Sequence, residues 1–269
     1  MKDFIKSLLP LFVSLIITII SYFASFAITV MLGLTRVSDS AGTNVNEFIF
    51  NLLRFSLMLI FCGWWFLYIR NTENSENDFV PDKKIKFSIV AFILLIILGF
   101  SIQVSTDSLL YILSKAFPDL LVSYHQMIKS FVSQTEPLYL LTIIVLAPIA
   151  EELIFRGLTL HYARRACNNI GAAIIFQGVL FGIYHGSIIQ GLYAVIFGIM
   201  LGVICVRSRS LIPSMFLHMV INGSLYVVYH FKFINVPVAV AAMVISLILL
   251  IISFVLVIPR LNSDEKQDD

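Results

Sequence analysis

Ala147-Pro148-Ile149-Ala150-Glu151-Glu152-Leu153-Ile154-Phe155-Arg156-Gly157 places two adjacent carboxylates and a guanidinium inside an apolar run. Leu138 to Leu146 precede it and are almost wholly apolar, and a helical pattern continues behind it to Ala163. The whole is long enough to cross a bilayer, which takes about 20 residues. Ionisable groups at that depth cost at least a few kcal/mol each unless they are paired or face a wet cavity, so they mark a functional site by default. Glu152 and Arg156 are four apart and share a helix face, so a structural ion pair accounts for those two. Glu151 lies about 100° further round the helix and is not accounted for by that pair.

The bulk composition carries the membrane reading outward to the whole chain. Of 269 residues, 59% are hydrophobic and 13% charged, with a mean hydropathy of +0.96. Soluble domains run near 45–50% apolar and about 25% charged. The fold expected is an all-α, polytopic membrane helix bundle of one integral membrane domain. The net charge of +2 says little as a total. No basic run exceeds Lys83-Lys84 with Lys86, so nucleic acid is not an expected partner, whereas the lipid bilayer is. Cys62, Cys167 and Cys205 show no metal-ligand or disulfide spacing and read as small buried hydrophobes.

Eight spans are expected. They are Leu8–Leu34, Phe48–Ile69, Phe87–Val104, Leu138–Ala163, Ile170–His185, Ile188–Val206, Leu211–Phe231 and Val236–Ile258. The first run is too long for a signal-peptide core. Arg54 sits near the start of the second span, placed to snorkel, and Trp64, Trp65 and Tyr68 near its end suit a headgroup-level belt. Arg70 to Lys86 reads as a solvated loop. Thr106 to Pro137 is too polar to span and too apolar to float. It reads as an interfacial amphipathic pair broken at Pro118, with the potential to act as a lid or ramp. By region, 1–137 is a three-span part plus the amphipathic segment, 138–231 the catalytic core, and 232–269 the last span and tail. With the N-terminus inside, inner segments hold twelve Lys and Arg and outer segments four, which puts both termini in the cytoplasm.

Other polar groups fall at similar depth. Counted from the cytoplasmic end of each span, Glu151 lies about 18 Å in, His185 about 22 Å, His218 about 10 Å and Asn222 about 16 Å. His218 and Asn222 share one helix face. Any one of them alone reads as interhelical glue; the set reads as a site. His161 is expected at the interface, and His125 and His230 at or beyond the span boundaries. Gly178, Gly182 and Gly186, and Gly198 and Gly202, repeat every four residues and predict close helix approach.

Three of these segments resemble, in order and spacing, the signature motifs of the CAAX prenyl endopeptidase and bacteriocin-processing family of intramembrane proteases. They are Glu151-Glu152-Leu-Ile-Phe-Arg156, Phe181-Gly-Ile-Tyr-His185 and His218-Met-Val-Ile-Asn222. Ala147-Pro148, Gly157 and Leu211-Ile212-Pro213-Ser214 agree as well, and the resemblance runs from about Leu138 to Tyr226. It implies an eight-helix bundle that hydrolyses a peptide bond in a hydrophobic or lipidated substrate, either a peptide or a membrane-anchored protein. Glu151 would be the general base, with His185 helping to position the water. His218 and Asn222 would stabilise the oxyanion, and Glu152 and Arg156 would orient the motif helix or hold substrate. A divalent ion such as zinc is an open alternative, with Glu151, His185 and His218 as its candidate ligands. Giving His218 and Asn222 to the oxyanion leaves few good ligands, which favours the metal-free route. A non-proteolytic immunity or scaffold protein is the competing expectation, and a transporter a third; the absence of inverted repeats speaks against the last. A compact chain without sorting tails fits a bacterial plasma membrane.

Overall fold

A computed structural model describes residues 2–33, 40–72, 80–81, 88–133, 135–230 and 233–261. The described residues are helical almost throughout. In chain order the helices are α1 (Lys2–Met31), α2 (Ser40–Thr72), α3 (Ile89–Ala116), α4 (Pro118–Val132), α5 (Pro137–Cys167), α6 (Ile170–Tyr184), α7 (Ile188–Ser208), α8 (Leu211–Val228) and α9 (Val236–Leu261). Seven are long and apolar enough to cross a membrane. α6 is shorter, 15 residues, or about 22 Å against a hydrocarbon thickness of about 30 Å. The protein is a multi-pass membrane helix bundle, with the fifth expected span reduced to this short helix.

Two compact units divide the chain. The first comprises 1–80 and 136–173, and so holds α1, α2, α5 and the start of α6. α1 turns a stripe of small polar residues inward: Ser7, Pro10, Ser14, Ile17, Ser21, Ser25 and Thr29 are all buried. Small side chains let it pack closely against α2 and the later part of α5. Most of their hydroxyls turn back to their own helix, as Ser14 Oγ does to the Leu11 carbonyl at 2.7 Å. α2 contributes Phe55, Met58, Cys62, Phe66 and Ile69, a buried stripe at helical spacing. Trp65 is not a headgroup anchor like the exposed Trp64; its Nε1 donates to the Tyr162 hydroxyl of α5 at 3.1 Å. Lys6 lies over the same Tyr162 ring at 5.7 Å.

α5 is not a uniform α-helix. Two wide π-helical stretches, Thr142–Leu146 and Leu153–Thr159, bracket a six-residue α-helical piece, Ala147–Glu152. Pro148 explains the first. It has no N–H to give the Ile144 carbonyl, and its ring would press on that oxygen. The turn opens ahead of it, and the Ala147 N–H reaches back five residues to Thr142. The second stretch closes when the Leu160 N–H reaches Phe155. α5 then stops at Asn168, which takes the left-handed conformation at φ 48° that asparagine tolerates at a helix end.

The second unit comprises 81–135 and 174–269. α3 is its central helix. Leu95, Leu98 and Ile102 pack with Leu201 and Ile204 of α7, Leu217 and Ile221 of α8, and Val257 of α9. Ser105 and Ser246 share a buried hydrogen bond of 2.8 Å between α3 and α9. The third expected span is corrected here: α3 runs on to Ala116, so Thr106 to Lys115 continue the spanning helix instead of starting a separate one. The break at Pro118 stands, and α4 is amphipathic. It buries Leu121, Tyr124, Ile128 and Val132 and exposes Val122, His125 and Lys129.

α6 and α7 meet backbone to backbone. A Cβ at Gly198 would lie 2.9 Å from the Gly178 Cα, and one at Gly182 would lie 2.6 Å from the Gly191 carbonyl oxygen. Gln177 Nε2 crosses the contact to the Gly198 carbonyl at 2.8 Å. Gly186 is not part of this stripe: it has φ +68° and open space around it, and it ends α6 instead. One cysteine also departs from expectation, since Cys167 is exposed while Cys62 and Cys205 are buried.

Candidate active site

The carboxylates lie on the short α-helical piece of α5. Glu152 and Arg156 are both wholly enclosed, and Arg156 Nη1 donates to Glu152 Oε1 at 2.8 Å. The pair is the one that the four-residue spacing predicts. Each charge offsets the other in a setting where an isolated charge is costly. Glu151 is buried too, though not completely, at 8% exposure. That residual opening separates it from its neighbour, because a base must be reached by water.

His161 overturns the expectation of an interfacial histidine. It is fully buried in the first unit, edge-on to Tyr162 at 5.0 Å between ring centroids. The reason lies in the packing of α5 against α1, which brings the turn Leu160–Ala163 inside. Sequence spacing alone gave no signal for this, because the burying partner is over a hundred residues away. Thr159 is also buried, and its hydroxyl makes no hydrogen bond. His125 and His230 are exposed, as their positions predict.

The second unit brings two histidines to one phenyl ring. Phe181 of α6 lies 4.7 Å from the His185 ring and 5.6 Å from the His218 ring of α8, edge-on to both at 77° and 81°. The phenylalanine of the middle motif thus spaces the two imidazoles. His185 Nδ1 stands 2.8 Å from the Phe181 carbonyl. A carbonyl only accepts, so in the neutral ring Nδ1 carries the proton and Nε2 is left with a lone pair. His218 is buried, and Asn222, one turn further along α8, is half-buried.

Among the described residues no group of three His, Cys, Asp or Glu side chains converges. Neither unit by itself therefore fits a zinc site, which needs three or four protein ligands.

The helices and these side chains define the class: a multi-pass membrane protein carrying buried acidic, imidazole and amide groups on spanning helices. More narrowly, residues 133–224 match the family model described as Rce1-like, Type II CAAX prenyl endopeptidase Rce1-like. The match takes in all three motifs, from Glu151 to Asn222, and bears out the resemblance read from them. No curated protein and no solved structure matches the chain.

Proposed function

We propose that this protein is an intramembrane endopeptidase that hydrolyses a peptide bond in a hydrophobic or lipidated substrate. One observation carries the reading: the stretch matching the CAAX-type endopeptidase family holds all three polar motifs, with Glu151 and His218 buried in spanning helices. Glu151 acts as general base. It takes one proton from water while the water oxygen attacks the carbonyl carbon. The Nε2 lone pair of His185 accepts a hydrogen bond from that water and orients it. His218 and the Asn222 amide donate hydrogen bonds to the oxyanion as it forms. When the tetrahedral intermediate collapses, the C–N bond breaks and Glu151 returns its proton to the leaving nitrogen. The Glu152–Arg156 pair fixes the rotation of the short helical piece that carries Glu151. Both termini lie in the cytoplasm of a bacterial cell on this reading.

The test uses purified wild type, Glu151→Ala, His185→Ala and His218→Ala in nanodiscs. Substrates are a fluorogenic prenylated peptide and a panel of plain hydrophobic peptides, each with and without a zinc chelator. Cleavage is expected to fall by about a hundredfold or more in each folded variant. Retention of activity by Glu151→Ala overturns the mechanism. The chelator arm reads whether a metal contributes.

A further inference from the structure

The second unit holds a half-buried carboxylate that the proteolytic chemistry leaves unused. Asp107 sits on α3, and the Gln103 amide one turn back donates to its Oδ1 at 3.4 Å. The other acidic side chain described in that unit, Asp119, is exposed. Two tyrosines converge near Asp107. The hydroxyls of Tyr124 on α4 and Tyr193 on α7 stand 3.3 Å apart, and both tyrosines pack in one cluster with Leu110, one turn beyond Asp107 on α3. Their rings meet edge-on at 6.2 Å, and Phe197 lies 5.2 Å beyond Tyr193. Burial above all, with Tyr193 and Asp107 adding to it, holds the Tyr124 hydroxyl well above the usual tyrosine range, so it remains protonated.

Among the described residues Asp107 makes no ion pair. The lysines of the same region are occupied elsewhere or face outward: Lys115 lies over the Tyr111 ring at 5.1 Å, and Lys129 is exposed. A half-buried carboxylate on a spanning helix favours a cationic partner. Its surroundings suit one kind of cation. Hydroxyl oxygens accept hydrogen bonds from N–H, and aromatic rings attract a cation through their faces.

We propose that Asp107, Tyr124, Tyr193 and Phe197 form a seat for a primary ammonium group, that of a lysine side chain in the peptide substrate. A peptide is favoured over other sources because the seat adjoins the machinery for hydrolysis. Leu225 and Tyr226 follow Asn222 by one turn on α8, and they pack into the same cluster as Tyr124 and Tyr193. One turn is about 5 Å along the axis, and two residues of extended peptide cover about 7 Å. The lysine therefore belongs within about three residues of the scissile bond. The inference rests on the proteolytic reading and narrows its substrate.

The experiment measures binding, not turnover. The Glu151→Gln variant is held in nanodiscs free of ethanolamine lipids. Fluorescent hydrophobic peptides that carry either lysine or norleucine at one position are titrated against it. The lysine peptide is expected to bind at least about tenfold tighter, the scale of a desolvated cation–π contact. Adding Asp107→Asn should abolish that preference, and Tyr193→Phe should reduce it while keeping the ring. The second variant serves if the first does not fold. Equal binding of the two peptides, binding of neither, or a preference that survives Asp107→Asn overturns the proposal. The first of these is what a purely structural role in seating α4 predicts. Loss of the preference when ethanolamine lipid is added would move the seat from peptide to headgroup and would overturn the proposal as well. Cleavage by wild type without a lysine preference leaves the protease standing and removes only the seat. A preference without cleavage does the reverse.

Discussion

Glu152 and Arg156 make the sharpest case at the scale of single residues. Removing one partner of a wholly enclosed pair leaves the other charge uncompensated, at a cost of about 3–5 kcal/mol. Arg156→Met is therefore expected to lower the unfolding midpoint in detergent strongly. Glu152→Gln with Arg156→Met should regain much of that loss, because no lone charge is left. Activity should not return with stability, since on the proposed mechanism the pair fixes the helix that carries Glu151. A double variant as active as wild type would show that the pair serves folding alone. Glu151→Gln is expected to behave oppositely. It removes a buried charge that the Glu152–Arg156 pair does not include, so stability should hold or rise while cleavage is lost. Thermal melts and cleavage assays on the same preparations check both.

The secondary-structure elements decide what these side chains face. Pro148 forces the first wide stretch of α5 by withholding an N–H and crowding the Ile144 carbonyl. Pro148→Ala permits the ordinary ladder to close there, which would turn the carboxylates relative to the preceding turns. Such wide turns recur at functional sites in helices. The expected outcome is a melting midpoint at or above that of wild type, with cleavage reduced by about tenfold or more. Unchanged cleavage would remove the wide turn from the mechanism. The glycine stripe yields a second prediction. Gly182→Ala places a methyl 2.6 Å from the Gly191 carbonyl oxygen, a backbone atom that cannot step aside. Overpacking of this kind costs about 1–3 kcal/mol, and chemical unfolding of the variant measures it. Both elements show what could be read from sequence and what could not. The glycines at 178, 182, 198 and 202 announced the α6–α7 contact because small residues at a spacing of four have one main use in a membrane helix. The wide turns were not announced, although Pro148 stood in plain view, because a proline says that the ladder breaks and not how it is repaired. The burial of His161 was likewise silent. It depends on α1, whose serine stripe looks like ordinary polar relief in an apolar run until the helix opposite is known. The motif residues were legible because their spacing is local: Glu152 to Arg156, Phe181 to His185, and His218 to Asn222 each span one turn.

For the whole molecule, the cysteines supply a direct reading of orientation. Lys and Arg favour the segments that put both termini inside. On that arrangement the last turn of α5, which holds Arg164, Arg165 and Cys167, faces the cytoplasm. Cys167 is exposed and next to the left-handed Asn168 that ends the helix, whereas Cys62 and Cys205 are buried within spans. A free thiol in water reacts with a maleimide, and one packed in a helix interface does not. A maleimide that cannot cross membranes should therefore label one site per chain in inverted vesicles and none in right-side-out cells. Cys167→Ser should abolish the signal without touching the motifs. Labelling of intact cells instead would reverse every span and place the start of α1 outside. The proposed chemistry would survive that reversal, because Glu151, His185, His218 and Asn222 keep their depths. The lysine seat under α4 would then face the cytoplasm, and the substrates able to reach it would be those made and kept inside the cell.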